Sequence, residues 1–363
     1  MKPGRLLFLL LLPAFIACQR DNPLDQKGNN YHPPVSPWSA LGNGTNGYVY
    51  ALTVDSSGNI YAGGNFDAAG AVVANNIAQW DGSLWNALGS GTNGTVYALA
   101  VDGSGNIYAG GNFDAAGGVA ANYVAKWNGS TWSALGSGTN GYVFALAIDS
   151  TGNLYAGGYF DSAAGVAANN IAEWNGNAWS ALGSGTDDYV YALAVDGSGN
   201  LYAGGTFTTA GSAAANNIAQ WNGNAWSALG NGTNDVVYAL AFYGPSSLYA
   251  GGYFTSAGGV VANNVAKWNG SAWSALGNGM NDVVFSLAVD GPSGLYAGGY
   301  FTSAGGAAAN NVAKWNGSAW SILGSGTNGT VYALAVDGPG NLYAGGVFDT
   351  VDGATANYIA KWK

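Results

Sequence analysis

Tryptophan recurs in this chain at a fixed interval: Trp38, Trp85, Trp132, Trp179, Trp226, Trp273 and Trp320 each lie 47 residues apart, with no insertion or deletion between them. A second series, Trp80, Trp127, Trp174, Trp221, Trp268, Trp315 and Trp362, keeps the same interval, and together the two account for all fourteen tryptophans. An exact period of this length means one supersecondary unit copied many times, each copy burying its apolar surface against the next.

One unit reads Trp85 to Gly89, a Gly/Thr/Asn loop, Thr95 to Asp102, Gly-Ser-Gly, Asn106 to Phe113, a small-residue loop, then Asn122 to Trp127. That is four short strands separated by turn residues. The segment Val96 to Val101 is apolar at every position, which predicts a strand covered on both faces by neighbouring sheets. The next strand carries Tyr-Ala-Gly-Gly in all seven copies, as in Tyr108-Ala109-Gly110-Gly111, and glycine within a strand lets another backbone approach closely. Asn128-Gly129, between the last two strands, predicts a type I′ turn with both central residues at positive φ.

Seven four-stranded units of this length predict an all-β fold, a seven-bladed β-propeller of 47-residue repeats. A linear solenoid is the structural rival, but its coils repeat at shorter intervals and need caps. Here the first Trp-type strand, Trp38 to Gly42, stands ahead of the first full unit, and the last unit stops after Trp362 without an outer strand. Pairing Trp38–Gly42 with Tyr358–Trp362 would complete the last blade and close the ring, removing free sheet edges.

The repeats resemble those of bacterial secreted propeller proteins and fungal cortical polarity-marker proteins. These carry stretches similar to Asn310-Asn311-Val312-Ala313-Lys314-Trp315-Asn316-Gly317 and Leu342-Tyr343-Ala344-Gly345-Gly346, and the repeats are also similar to kelch-like blades. The resemblance spans residues 38 to 363 and implies the architecture. The fungal proteins' membrane span and polarity role have no counterpart in these residues.

The start of the chain has a different character. Lys2 and Arg5 precede an apolar run from Leu6 to Leu12, too short to span a bilayer, and Phe15-Ile16-Ala17-Cys18 resembles a bacterial lipobox. The resemblance implies cleavage before Cys18 and lipid attachment to its sulfur, several acyl chains giving a stable anchor. Residues 1–17 are thus expected to be a lipoprotein signal peptide, 18–37 a lipid-anchored tether rich in proline and polar residues, and 38–363 the propeller. Gln19 after the cysteine, in place of an inner-membrane-retaining aspartate, points to the outer membrane and an extracytoplasmic location.

Several function classes are disfavoured by what is scarce. The formal charge is −10, more negative once Lys2 and Arg5 are removed, and no arginine follows Arg20, so the cationic stripe that nucleic acid requires is missing. The one histidine, His32, lies in the tether, and the one glutamate, Glu173, occupies a strand position filled elsewhere by Gln or Lys. With no positioned base, no catalytic residue is assigned and the chain is expected not to be an enzyme. Asp55, Asp102, Asp149, Asp196, Asp290 and Asp337 end the inner strand of their units. One carboxylate per loop is too few for calcium, so these are read as turn caps, and no metal or cofactor is expected. Asn75 and its six equivalents, present in every unit, read as a requirement of the blade.

Function is then sought where units differ on one rim. The loop after each Trp38-type strand and the loop after each Tyr-Ala-Gly-Gly strand emerge on the same face. There Tyr48, Tyr142 and Tyr189 occupy a phase that holds Thr95, Val236, Val283 and Thr330 in the other units. The residue after Gly-Gly also varies, with Tyr159, Tyr253 and Tyr300 among its forms, and the fourth unit adds Asp187 and Asp188. Rigid amphipathic rings beside polar groups form the composition of a glycan or protein contact surface, and these residues are the candidate binding face. Packing between blades is the competing role for the tyrosines, and a structural or spacer protein of the envelope the competing role for the chain. The closed ring is expected to be monomeric.

Overall fold

The computed structural model describes residues 36–244, 247–291 and 294–363. Cys18 and the signal-peptide and tether assignments up to residue 35 lie outside the described residues. Among the described residues there are seven four-stranded antiparallel sheets and no helix. Each is one blade of a seven-bladed β-propeller.

Blade one shows the plan. Its inner strand is Tyr48–Val54, followed by Ile60–Asn65, Ile77–Trp80 and the outer strand Trp85–Ala87, hydrogen-bonded in that order. A two-residue hairpin, Ala68–Ala69 with Val72–Val73, decorates the loop between the second and third strands. The core lies between blades. Val49, Ile60, Ala62, Phe66 and Trp85 pack with Tyr343 and Ile359 of the seventh blade, and Tyr61 and Ile77 in turn pack into the second. Each sheet therefore buries both faces against its neighbours, as in any radial stack of sheets.

The Tyr-Ala-Gly-Gly motif makes this approach possible. A Cβ on Gly63 would lie 2.6 Å from Cγ1 of Val96 in the next blade, and one on Gly64 would collide with the carbonyl oxygen of Tyr48 in its own blade. The second constraint comes from a β-bulge: Val49 pairs with Gly64 and Ala51 with Gly63, leaving Tyr50 as the extra residue. The same irregularity recurs at the equivalent position of all seven inner strands. The strand is flanked by a neighbouring blade on each face, as expected, but its free edge borders the axis. Val96, Ala98 and Ala100 are buried, while Tyr97 and Leu99 are half-buried and line the propeller axis.

The ring closes as the repeat predicts. Trp38, Ser39 and Ala40 pair with Trp362, Lys361 and Ala360, supplying the outer strand of the seventh blade. Trp38 Nε1 donates to the Leu323 carbonyl at 3.0 Å, matching the bond from Trp85 to Leu41 at 2.9 Å and its counterparts in the other blades. Asn75 Nδ2 donates to the Ser90 carbonyl at 2.9 Å, and the equivalent Asn357 to Asn43 at 3.0 Å, so the amides lace each blade to the loop of the next all the way round.

The turns divide into one confirmed expectation and one correction. Asp55 Oδ1 accepts the Ser57 and Asn59 N–H groups, and Oδ2 accepts the Asn59 amide and the Tyr61 hydroxyl. These bonds make it the turn cap predicted. The Asn128-Gly129 turn is not type I′, because only Gly129 has positive φ. Trp127 pairs with Trp132, which sets a four-residue loop, and Asn128 Oδ1 accepts the Ser130 and Thr131 N–H groups from within it.

Candidate binding face

Strands alternate in direction, so the loops leading into the inner strands and the loops between second and third strands emerge on one face, termed the top. Backbone contact joins them in every blade, as between Thr45 and Ala69. The side chains that follow have local reasons for their places. Asn46 Oδ1 accepts the Asp67 and Ala68 N–H groups, while its amide donates to the Asp67 carboxylate, clamping the two loops together.

Asp187 occupies the Asn46 position of blade four. Its carboxylate accepts the Thr208 hydroxyl at 2.7 Å and the Thr208 and Thr209 N–H groups at 2.8 Å. Partial burial works to raise this carboxyl, but the three hydrogen bonds outweigh it and hold the group below the usual carboxylate range. Asp188 does something else: it caps the Tyr189 N–H at 2.9 Å and stays exposed. The two adjacent aspartates are thus held by different partners, Asp187 as a loop clamp and Asp188 as a cap.

The six candidate tyrosines all lie on this face. Tyr48, Tyr142, Tyr159, Tyr253 and Tyr300 are exposed, and Tyr189 is half-buried. Three pairings organise them: Tyr48 with Tyr358 at 5.7 Å between ring centroids, Tyr142 with Tyr123 at 5.8 Å, and Tyr159 with Tyr189 at 4.6 Å. Tyr123 and Tyr358 were not among the sequence candidates. Both sit in the left-handed region, at φ 63°, at a position that is asparagine in the other five blades. The departure from asparagine at a left-handed position was the available signal, since only Gly and Asn adopt it readily.

A larger feature lies on the axis. The bulged residues Tyr50, Tyr97, Phe144, Tyr191, Tyr238, Phe285 and Tyr332 form a closed ring, each in contact with the next, and Tyr332 meets Tyr50 at 5.4 Å. They line, with the Ala and Leu tiers below, an axial cavity of about 250 Å³. Tyr48, Tyr142 and Tyr189 stand at its top rim, 6.1–6.2 Å from the ring members two residues on. Burial first, then the neighbouring phenols of Tyr332, Tyr97 and Tyr48, push the Tyr50 hydroxyl up to about 12. Outside this ring, clefts of about 550 and 580 Å³ open between blades one and two and between blades five and six. Asn46, Asp67 and Asn93 line the former, and Asp235, Tyr253 and Asn281 the latter.

Among the described residues acidic groups lie on both faces, with Asp55, Asp81, Asp102, Asp149, Asp196, Asp290 and Asp337 at the bottom turns, but only the top face carries them without lysines. Asp67, Asp114, Asp161, Asp187, Asp188, Asp235, Asp282, Asp349 and Asp352 all belong to top-face loops. The lysines among the described residues lie elsewhere. Lys126, Lys267, Lys314 and Lys361 are on third strands near the opposite rim, and Lys363 follows the last strand. Lys126 and Lys314 reach the bottom-face caps Asp102 and Asp290 at 3.9 and 2.8 Å.

Comparison with known proteins adds one kind of finding. No protein-family model and no curated protein matches the chain. Solved structures do. The extracellular domain of a one-component system of B. thetaiotaomicron is 13% identical with a TM-score of 0.59, over 90% of this chain and 40% of that one. The WD40 β-propeller domain of Doa1 is 12% identical with a TM-score of 0.58, over 89% and 95%. Streptogramin B lyase is 10% identical with a TM-score of 0.57, over 89% and 96%. What they share with this chain is the fold. Propellers with this outline include the extracellular domain of a one-component system, a WD40 domain and a lyase, so the scaffold alone does not select among activities.

Proposed function

We propose that the chain is a lipid-anchored, extracytoplasmic recognition module whose top face docks a protein partner, and that it performs no catalysis. One observation carries the reading. On the top face aromatic rings replace Thr, Val or Asn around the axial mouth in some blades and not others, while the tryptophan and asparagine contacts that lace the blades together repeat sevenfold. A rigid, closed platform with exposed Tyr pairs supplies contact area at low entropy cost. The carboxylates with hydrogen-bond partners cap turns or clamp loops, which supports binding over acid–base chemistry. The lipobox resemblance at Cys18 supports the membrane anchor, and Gln19 favours the outer membrane.

The test is site-specific photo-cross-linking in the native cell, with the photoreactive residue at Tyr253 or Tyr300 on the top face and at Leu84, which is exposed in a bottom-face hairpin. A discrete protein adduct from the top positions and none from Leu84 is expected. Equal adducts from both faces, or none from either, would leave the envelope-spacer role instead. Retention of a Cys18→Ser chain in the membrane fraction would refute the anchor.

A further inference from the structure

The top-face reading can be carried one step further, to the chemistry of the partner. We infer that the axial mouth receives a cationic segment of a protein, with an arginine side chain inserted along the axis inside the ring of seven aromatic residues. The inference rests on the docking role proposed above and would fall with it.

Geometry is the first support. Neighbouring ring centroids are 5.1–5.8 Å apart, and most interplanar angles lie near 50°, the turn that a sevenfold axis applies from one blade to the next. A heptagon with such sides puts every centroid about 6 Å from the axis, at the outer limit of the distance over which a cation placed over an aromatic face is attracted to it. A cation on the axis is therefore within reach of all seven rings at once, and one displaced from it moves closer to some of them. The cavity, about 250 Å³, holds roughly eight waters at liquid density, enough room for a long side chain entering from above.

Charge is the second support, and it is independent of the first. The top loops carry aspartates and no lysine, so the field over the mouth attracts cations and opposes anions. Asp188 lies close enough to the axis that its charge contributes to raising the Tyr191 phenol, after burial and the phenols of Tyr238 and Tyr189. A neutral sugar could stack on these rings but would gain nothing from the carboxylates. Arginine suits the site better than lysine, because the planar guanidinium is more weakly hydrated and stacks on aromatic faces. A second propeller of this chain is not the donor, since no arginine follows Arg20.

The experiment titrates the full chain with N-acetylated hexa-arginine amide, hexa-lysine, hexa-glutamate and maltohexaose by calorimetry. Hexa-arginine is expected to bind more tightly than hexa-lysine, with an affinity that falls as salt is raised, and hexa-glutamate is expected not to bind. Replacing Tyr50 and Tyr191 together by leucine should weaken hexa-arginine binding about tenfold, whereas replacing both by phenylalanine, which keeps the π-faces, should change it less than about twofold. Phenylalanine already occupies the ring at positions 144 and 285, so that pair provides a folded reference if the leucine pair is unstable. The triple substitution Asp188→Asn, Asp235→Asn and Asp282→Asn keeps the capping oxygens and should both weaken binding and flatten its salt dependence. No binding of hexa-arginine, or binding indifferent to the leucine pair, would overturn the inference. Maltohexaose binding that is lost in the leucine pair would overturn it in favour of a glycan. If top-face cross-linking persists while hexa-arginine fails, docking stands and only the cationic chemistry falls; if both fail, both are wrong.

Discussion

Closure by a strand from the opposite end of the repeat array makes one seam of the ring different from the other six, and Trp38→Ala isolates that difference. Trp38 and Trp179 are each 5% exposed, and each donates its indole N–H to a leucine carbonyl, at 3.0 and 2.8 Å. Truncating either one removes the same contacts, at a cost of about 3–5 kcal/mol. The neighbourhoods differ in covalent connection. Trp179 follows a hairpin from its own third strand, while Trp38–Ala40 has no such connection to Ile359–Trp362 and is held by pairing, by the Trp38–Trp362 ring contact at 5.3 Å, by burial of Leu41 and by hydrogen bonds that include Lys363 N–H to the Pro37 carbonyl and the Ser36 hydroxyl to Asp352. The seam strand can therefore open without unfolding the disc, and Trp38→Ala removes a large part of what opposes that opening. At about 1.4 kcal/mol per decade, hydrogen exchange of peptides spanning 36–44 and 357–363 should accelerate by about two to four decades. Trp179→Ala should lower global stability and leave seam protection relative to the other blades unchanged. Equal exchange at the seam in the two variants would refute the argument, because the seam would then open only with the whole ring.

Two further outcomes follow from packing and titration. Gly63→Ala places a methyl 2.6 Å from Val96 Cγ1 across a blade interface and should cost about 1–3 kcal/mol in a thermal melt, whereas Gly103→Ala, with no atom within 4 Å, should shift stability by no more than about 0.5 kcal/mol. Folding raises the phenols of Tyr50, Tyr61 and Tyr202 from 10.0 to about 12, burial being the main cause in each. The folded chain thus holds these protons more tightly, so the stabilisation is complete below pH 10 and is lost as pH rises from there through 12. A melting temperature that stays flat across that interval, or phenolate absorbance that rises fully near pH 10 in the folded protein, would contradict this.

Legibility of the sequence was uneven for a physical reason. The unbroken 47-residue period gave the blade count, and the position of Trp38 ahead of the first full unit gave the closure. The aspartate and asparagine roles were legible because identical residues at one phase of every unit answer a need that every blade shares. The axial ring was not read. In Val49-Tyr50-Ala51-Leu52 simple alternation assigns successive residues to opposite sheet faces, and the bulge at Tyr50 breaks that alternation without any glycine in the inner strand to mark it. The mark lies on the partner strand: Gly64 has no side chain because the bulge presses the Tyr48 carbonyl against it. The four-residue loop at Asn128 was missed for a related reason, since tryptophan pairing across the hairpin, and not the Asn-Gly dipeptide, sets its length.

The same sevenfold repetition supplies a control for whether the rim tyrosines serve binding or merely pack between blades. Tyr48, Tyr142 and Tyr189 share a phase with Thr95, Val236, Val283 and Thr330, so the fold accepts aromatic, hydroxyl and aliphatic side chains there. Val236 is buried at 6% while Tyr142 is 39% exposed, which means the aromatic ring rises above the layer that the valine completes. Tyr142→Thr then loses the exposed ring contacts with Tyr123 and Phe144, and should cost no more than about 1–2 kcal/mol by chemical denaturation. A loss of several kcal/mol would make the tyrosine a packing element and remove it from the binding face. A small loss would mean that blade three carries an aromatic ring that stability does not demand, as the proposed binding face requires.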